Sequence, residues 1–148
     1  MNEMQNGSFM TSEEKPDSSV LINNDLIEGG HLANAIGVIS LTVGQRHPYF
    51  AAGPLVDASG YAHPGLIAVG IPMLKDSNEN IKAIRAKAIE KGFDVVDFPK
   101  QGQQTKNYDE FIEMMRSAEP DEIEYLGIAI IGKKNAVNRL TKHCQMIV

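Results

Sequence analysis

The chain has 148 residues, a mass of 16.2 kDa and a formal net charge of −5, with 43% hydrophobic and 22% charged residues. This length corresponds to about one globular domain, and a single cysteine excludes a disulfide scaffold. No apolar run approaches the roughly 20 residues of a membrane span, so we expect no membrane association. The acidic balance argues against a protein that coats nucleic acid.

The amino-terminal segment differs in character from the rest of the chain. Residues 1–17 are polar, acidic and aperiodic, and they predict a disordered tail in front of a single domain over residues 18–148. The tail lacks an apolar core behind a basic start, so it does not indicate a secretory signal. Together with the single cysteine, this favours the reducing cytoplasm.

Strand and helix patterns alternate after the tail. We predict strands over 18–23, 66–74, 93–98 and 123–131, helices over 31–45, 78–91, 107–117 and 133–142, a hairpin inserted at 53–65, and a docked strand at 145–148. Pro72 lacks a backbone donor, so its strand should lie at a sheet edge or a bulge. The alternation favours a three-layer α/β/α fold with a four-stranded mixed, largely parallel sheet.

The first candidate site is the junction between the first strand and the first helix. Ligands of α/β folds bind at the carboxyl ends of strands, where Asn24 and Asp25 stand. Gly30 would let backbone amides approach an anion, and His31 and Asn34 share a helical face. This pattern predicts a small polar or anionic ligand, with His31 as general acid or base and Asn34 orienting it. The alternative is a tight turn without a ligand.

Two further segments carry polar candidates. Asp57 and His63 flank a turn and could form a general-base pair, or Asp57 could simply close an Asx turn. The loop over 99–106 offers Lys100 and Thr105 to a polar ligand, or it is a solvated loop. The histidine spacings match no zinc pattern, so we expect neither a metal nor another cofactor. A lone cysteine near an apolar terminus is usually inert.

Three blocks of sequence together carry a family resemblance. They are residues 20–26 with Gly30, residues 72–77 with the helix and strand up to 96, and residues 125–141. In order and spacing they resemble the domain-of-unknown-function family numbered two thousand, and through it the type-two peptidyl-tRNA hydrolase fold. The likeness extends over about residues 18–148. It implies a hydrolase-like scaffold with a pocket between the first helix and the loop at 99–106.

Several active-site positions of that hydrolase family are changed here. Where the family has Lys, Gln, His and Asp, this chain has His31, Ala35, Val38 and Lys100. The residues that match are Asn24, Asp25, Gly30 and Thr105. Because Lys100 reverses the charge of a carboxylate, it cannot keep an acid or base role.

Three functions remain open from the sequence. The first is a domain that binds a small polar or anionic ligand, with or without hydrolase activity, and with Asp57 or His63 reaching the site from the hairpin. The second is a peptidyl-tRNA hydrolase that meets tRNA through Lys100, Lys106 and the helix at 133–142. The third is a non-catalytic interaction module, a homodimer that uses the strand bearing Pro72 as an edge.

Overall fold

The computed structural model describes residues 15–148, so most of the predicted tail lies outside the described residues. The strands are β1 (Ser18–Asn24), β2 (Leu55–Val56), β3 (Ala62–His63), β4 (Met73–Asp76), β5 (Asp94–Pro99), β6 (Tyr125–Gly132) and β7 (Gln145–Met146). The helices are α1 (Gly29–Arg46), α2 (Asn78–Glu90), α3 (Gln101–Gln104), α4 (Tyr108–Arg116) and α5 (Lys134–Thr141). Short 3-10 turns cover Pro48–Phe50 and Pro120–Glu122.

The main sheet has five strands in the order β5-β6-β1-β4-β7. Strand β1 pairs in parallel with β4 and antiparallel with β6, while β5 and β7 are antiparallel additions at the two edges. The prediction of four strands in a largely parallel arrangement was therefore wrong. Alternating strands and helices indicate layers, but they do not specify that β6 inserts between β1 and β5 and reverses direction there.

The predicted strand over 66–74 was also too long. Only Met73–Asp76 joins the main sheet, and Pro72 precedes this strand rather than lying within it. The carbonyl oxygen of Pro72 accepts a hydrogen bond from the Leu21 N–H, at 3.1 Å. Because β7 pairs with the far side of β4, this strand is not an edge, which corrects the edge predicted for dimerisation.

Helices cover both faces of the sheet. Alternate side chains of β1 enter two apolar clusters: Leu21 packs with Ala35 and Ile39 of α1, and Ile22 packs with residues of α2 and α5. All seven residues of β1 and all eight of β6 are buried. Burial on both faces explains why these strands read as continuous apolar runs rather than alternating ones.

Local sequence signals set several helix ends. The Ser77 hydroxyl accepts a hydrogen bond from the Asn80 N–H at the start of α2, and Gly92 follows its end with φ +85°. The Asn107 side chain caps α4 in the same way, accepting from the Glu110 N–H. Within residues 15–148, none of the helices has both the length and the apolar character needed to cross a membrane.

We predict that Gly132→Ala destabilises the domain by about 1–3 kcal/mol. A Cβ at this position, at the end of β6, would overlap the ring of Phe93 and approach a methyl group of Val137 at 3.3 Å. Chemical denaturation measures the free energy of unfolding. The control is Gly44→Ala in α1, where a Cβ meets nothing within 4 Å, and it should be neutral or stabilise by up to about 1 kcal/mol. Equal free energies for the two variants would contradict this packing.

Candidate functional site

The predicted junction site begins with a buried amide. The Asn24 side chain donates from Nδ2 to the Tyr125 carbonyl at 3.0 Å, and its Oδ1 accepts from the Leu26 N–H at 2.9 Å. Asn24 is 7% exposed, so both ends of the amide serve the backbone where β1 leaves the sheet. Asp25 next to it is exposed. The structure thus gives Asn24 a structural role in this loop.

The start of α1 is open to solvent. Gly30, His31 and Asn34 are all exposed, and no side chain caps the helix or places an acid in its first turn. The neighbouring α3 approaches it, because the Gln103 side chain donates to the His31 carbonyl at 3.3 Å. This hydrogen bond occupies part of the gap in which the pocket was predicted.

The other two predicted residues of this site make local contacts. Lys100 forms an ion pair with Glu124, with 3.1 Å between Nζ and Oε2, and both side chains are about half exposed. The Thr105 hydroxyl donates to the Gln101 and Gly102 carbonyls at the end of α3. These contacts engage both residues within their own corner of the fold.

The predicted pair on the hairpin does assemble. His63 Nε2 lies 2.9 Å from Asp57 Oδ2, and the ring of Tyr61 packs edge-on against the imidazole. The Ser59 hydroxyl, His63 and the Tyr61 N–H donate to Asp57 and lower the pKa of its carboxyl to about 2. The carboxylate therefore orients the His63 ring. Asp57 also closes the turn, as the alternative interpretation held.

A second polar cluster lies where α1 ends, and the sequence analysis did not identify it. Asp94 at the start of β5 accepts two hydrogen bonds from Arg46, at 2.7 and 3.0 Å, and one from His47 Nε2 at 2.6 Å. His47 Nδ1 lies 2.8 Å from the Tyr49 hydroxyl, within hydrogen-bond distance. The His47 ring also stacks on Phe50 at 5.5 Å.

The electrostatics of this cluster favour a fixed carboxylate. Partial burial raises the pKa of Asp94, but the hydrogen bonds from His47 and Arg46 outweigh it and hold the pKa well below its usual range. Burial and the Asp94 charge raise the pKa of Tyr49, which opposes its use as a nucleophile at neutral pH. The cluster therefore ties the end of α1 to β5. No pattern in the sequence indicated this cluster, because His47 and Asp94 are 47 residues apart and form no recognisable motif with Arg46.

Neither a metal-binding group nor a reactive thiol is evident among the described residues. No group of three or more His, Cys, Asp or Glu side chains there is placed to hold a metal ion. Burial, followed by the neighbouring Asp76, raises the pKa of the Cys144 thiol to about 12. A thiol with this pKa is protonated at neutral pH and is a poor nucleophile.

One long segment of the chain carries very few charged side chains. The chain has 14 basic and 19 acidic side chains, yet only Arg46 and Asp57 fall between residues 29 and 74. Charged residues make up 22% of the whole chain, so a segment of this length would be expected to carry about ten charged side chains. Much of it is nevertheless exposed, including every residue from 51 to 64. We call the exposed residues of the segment 29–74 the charge-poor surface.

Large apolar side chains stand on this surface. Leu41 is 79% exposed, and the others are Val38 on α1, Tyr49 after it, and Leu55, Val56, Tyr61, Leu66 and Ile67 on or beside the hairpin. Among residues 15–148, strands β2 and β3 pair with each other and with no other strand, and the turn at Gly60 (φ +88°) joins them. An isolated two-stranded hairpin is marginally stable in water. A surface with this composition is typical of an interface.

We predict that Asp94→Asn lowers the free energy of unfolding by about 2 kcal/mol at neutral pH, because it removes the charge that Arg46 and His47 bind. A carboxylate with a lowered pKa stabilises the fold above its ordinary pKa near 3.9, and this contribution is lost as the pH falls below that value. Denaturation between pH 7 and pH 2.5 should show the two proteins converging in acid.

The matched control is Glu90→Gln, an exposed carboxylate on α2, which should change stability by less than about 0.5 kcal/mol. If Asp94→Asn has an effect as small as this, the cluster does not tie α1 to β5.

Comparisons with known proteins agree with the fold and leave the activity open. A solved structure of a protein of unknown function from Agrobacterium tumefaciens strain C58 is similar, with a TM-score of 0.81 and 14% identity. The match covers 88% of this chain and 97% of that one. A comparison with curated proteins finds no match. The model of the family described as protein of unknown function, DUF2000, matches residues 18–147, and the chain belongs to this family.

Proposed function

We propose that this domain acts as a protein-interaction module and associates with a second copy of itself through the charge-poor surface. One observation carries the proposal: a third of the chain has two charged side chains, and yet much of it is exposed. Charged residues keep ordinary surfaces solvated, whereas the buried centres of interfaces are depleted of them and enriched in aromatic and aliphatic groups.

The shape of this surface favours a second copy as the partner. It combines a projecting hairpin, paired through Leu55 and His63, with the flatter exposed side of α1 around Val38 and Leu41. In a two-fold dimer the same contact is made twice, so the hairpin of each copy would lie on helix α1 of the other copy. Within one chain, Ile67 at the root of the hairpin lines the same small cavity as Ser40 and Gly44 of α1, so the hairpin and the helix adjoin.

The composition of this surface suits a dimer. Its large apolar side chains are between 40% and 79% exposed and would form the centre of an interface, to which each partner of a standard complex contributes roughly 800 Å². The polar pair Asp57–His63 at the hairpin would enter the interface with its hydrogen bonds already satisfied within the hairpin. A satisfied polar pair costs less to bury than a free one.

We predict that the wild-type protein has twice the mass of the 16.2-kDa chain by size exclusion with light scattering. Leu41→Glu should produce a monomer, because it puts a charge in the centre of an apolar contact. The matched control is Ile89→Glu on α2, which is 50% exposed outside the charge-poor surface and should leave the dimer intact. A wild type that stays monomeric at high concentration refutes the proposal.

We also propose a second function, binding of a small polar or anionic ligand in the manner of a hydrolase. The likeness to type-two peptidyl-tRNA hydrolases suggests it, and the open first turn of α1 supports it. The first turn of the helix contains no acidic residue, and the N-cap residue Glu28 makes no side-chain cap hydrogen bond, so the N–H groups there are not capped by a side chain and suit an anion. His31 and Asn34 are exposed one turn apart beside it. Lys106 and the basic residues of α5 would meet tRNA in the peptidyl-tRNA version.

Thermal-shift measurements with inorganic phosphate, nucleotides and acyl compounds test this second function. We expect an anionic compound to raise the melting temperature of the wild type and His31→Ala to remove the shift. For tRNA, affinity should fall steeply with salt concentration. If no compound raises the melting temperature and tRNA neither binds at low salt nor is cleaved, this function is excluded, whereas the mass of the dimer is unaffected.

A further inference from the structure

Helix α4 carries an apolar groove on its outer side. Phe111 and Met115 turn inward and pack against the two core clusters, while Tyr108 and Ile112 remain 73% and 41% exposed. These four residues and Arg116 line a groove of about 320 Å³. The groove is therefore built on a helix that the core holds in place.

The helix that carries the groove is acidic. Asp109, Glu110 and Glu113 belong to α4 itself, and the sequence over residues 107–124 contains seven carboxylates and one cation. The cation, Arg116, forms an ion pair with Glu113 at 3.0 Å. An apolar floor with an acidic rim repels phosphate and attracts a partner that presents both apolar and cationic groups.

We infer that the α4 groove binds a cationic amphipathic helix of a partner protein. Such a helix would place aliphatic side chains against Tyr108 and Ile112 and its Lys or Arg side chains against Asp109 and Glu113. The segment of this chain with the right charge is α5, but its inner face is already buried in the core at Val137 and Thr141. A second copy therefore cannot offer α5 as the occupant without unfolding it.

This site is independent of the proposed dimer. Helix α3 precedes α4, and its Gln103 side chain contacts the first turn of α1 at His31. The hairpin instead follows the last turn of α1 in the chain. The two ends of this 18-residue helix are about 27 Å apart. A dimer would present two such grooves, and an intact groove does not require the dimer.

The probe is a synthetic peptide of leucine and lysine, about 18 residues long, with leucines at helical spacing, and the reference is a scrambled peptide of the same composition. Fluorescence anisotropy with the full chain should show at least tenfold tighter binding of the amphipathic peptide. Ile112→Asp should weaken it at least tenfold. Asp109→Asn with Glu113→Gln should weaken it several-fold and reduce its salt dependence.

Ile89→Glu is the control for an added charge on an exposed isoleucine, and it should leave peptide affinity unchanged. Methyl NMR spectra of Ile112 and Met115 locate the peptide independently of any variant. Equal affinity for the scrambled peptide, no effect of Ile112→Asp, or shifts confined to the charge-poor surface would each overturn the inference. If Leu41→Glu is monomeric but binds the peptide with unchanged affinity, this result supports a peptide site that is separate from the dimer interface.

Discussion

Strand β1 is buried along its whole length between two other strands and two helical layers, and the remaining structure is arranged around it. Its side chains alternate between the α1 cluster and the cluster of α2 and α5, so a single strand anchors both halves of the core. Polar residues at its carboxyl end are bound to backbone groups: Asn23 donates to Leu74 and Asn24 to Tyr125. The loop that leads to α1 is thereby fixed, and so is the direction in which α1 crosses the sheet.

Fixing α1 has a consequence for the surface. The inner side of α1 supplies Ala35, Ile39 and Val43 to the core, and Arg46 and His47 secure its end through Asp94. The outer side keeps Val38 and Leu41 exposed, and the hairpin continues the same charge-poor segment. The core holds the α1 part of this surface in place, and an apolar surface supported in this way is well suited to binding another protein, which links the stability of the fold to the proposed function.

Local patterns predicted most elements but not their arrangement. Helix α2 forms within the predicted range 78–91, with Ser77 and Gly92 at its ends, and the turn before Gly60 forms the predicted hairpin, because these signals act within a few residues. The insertion of β6 beside β1 depends on pairing over more than a hundred residues, as between Leu21 and Ala129, and no local signal reports it. The family likeness to the DUF2000 proteins was confirmed, since it rested on several blocks in order.

The candidate site shows the same division between short-range and long-range information. The Asp57–His63 contact spans six residues and was foreseen, whereas His47 meets Asp94 across 47 and was missed. The paucity of charge between residues 29 and 74 was visible in the sequence. Its meaning depended on exposure, because an uncharged segment that is buried is simply part of a core.

Hydrogen exchange of the hairpin amides as a function of protein concentration tests the proposed association most directly. Strands β2 and β3 pair with nothing else within the described residues of one chain, so in a monomer their amides should exchange rapidly. If the hairpin is buried in a dimer, amides over residues 53–65 should exchange slowly at high protein concentration and faster on dilution, while the amides of β1 should not change. Rapid exchange of the hairpin that is the same at every concentration would contradict it.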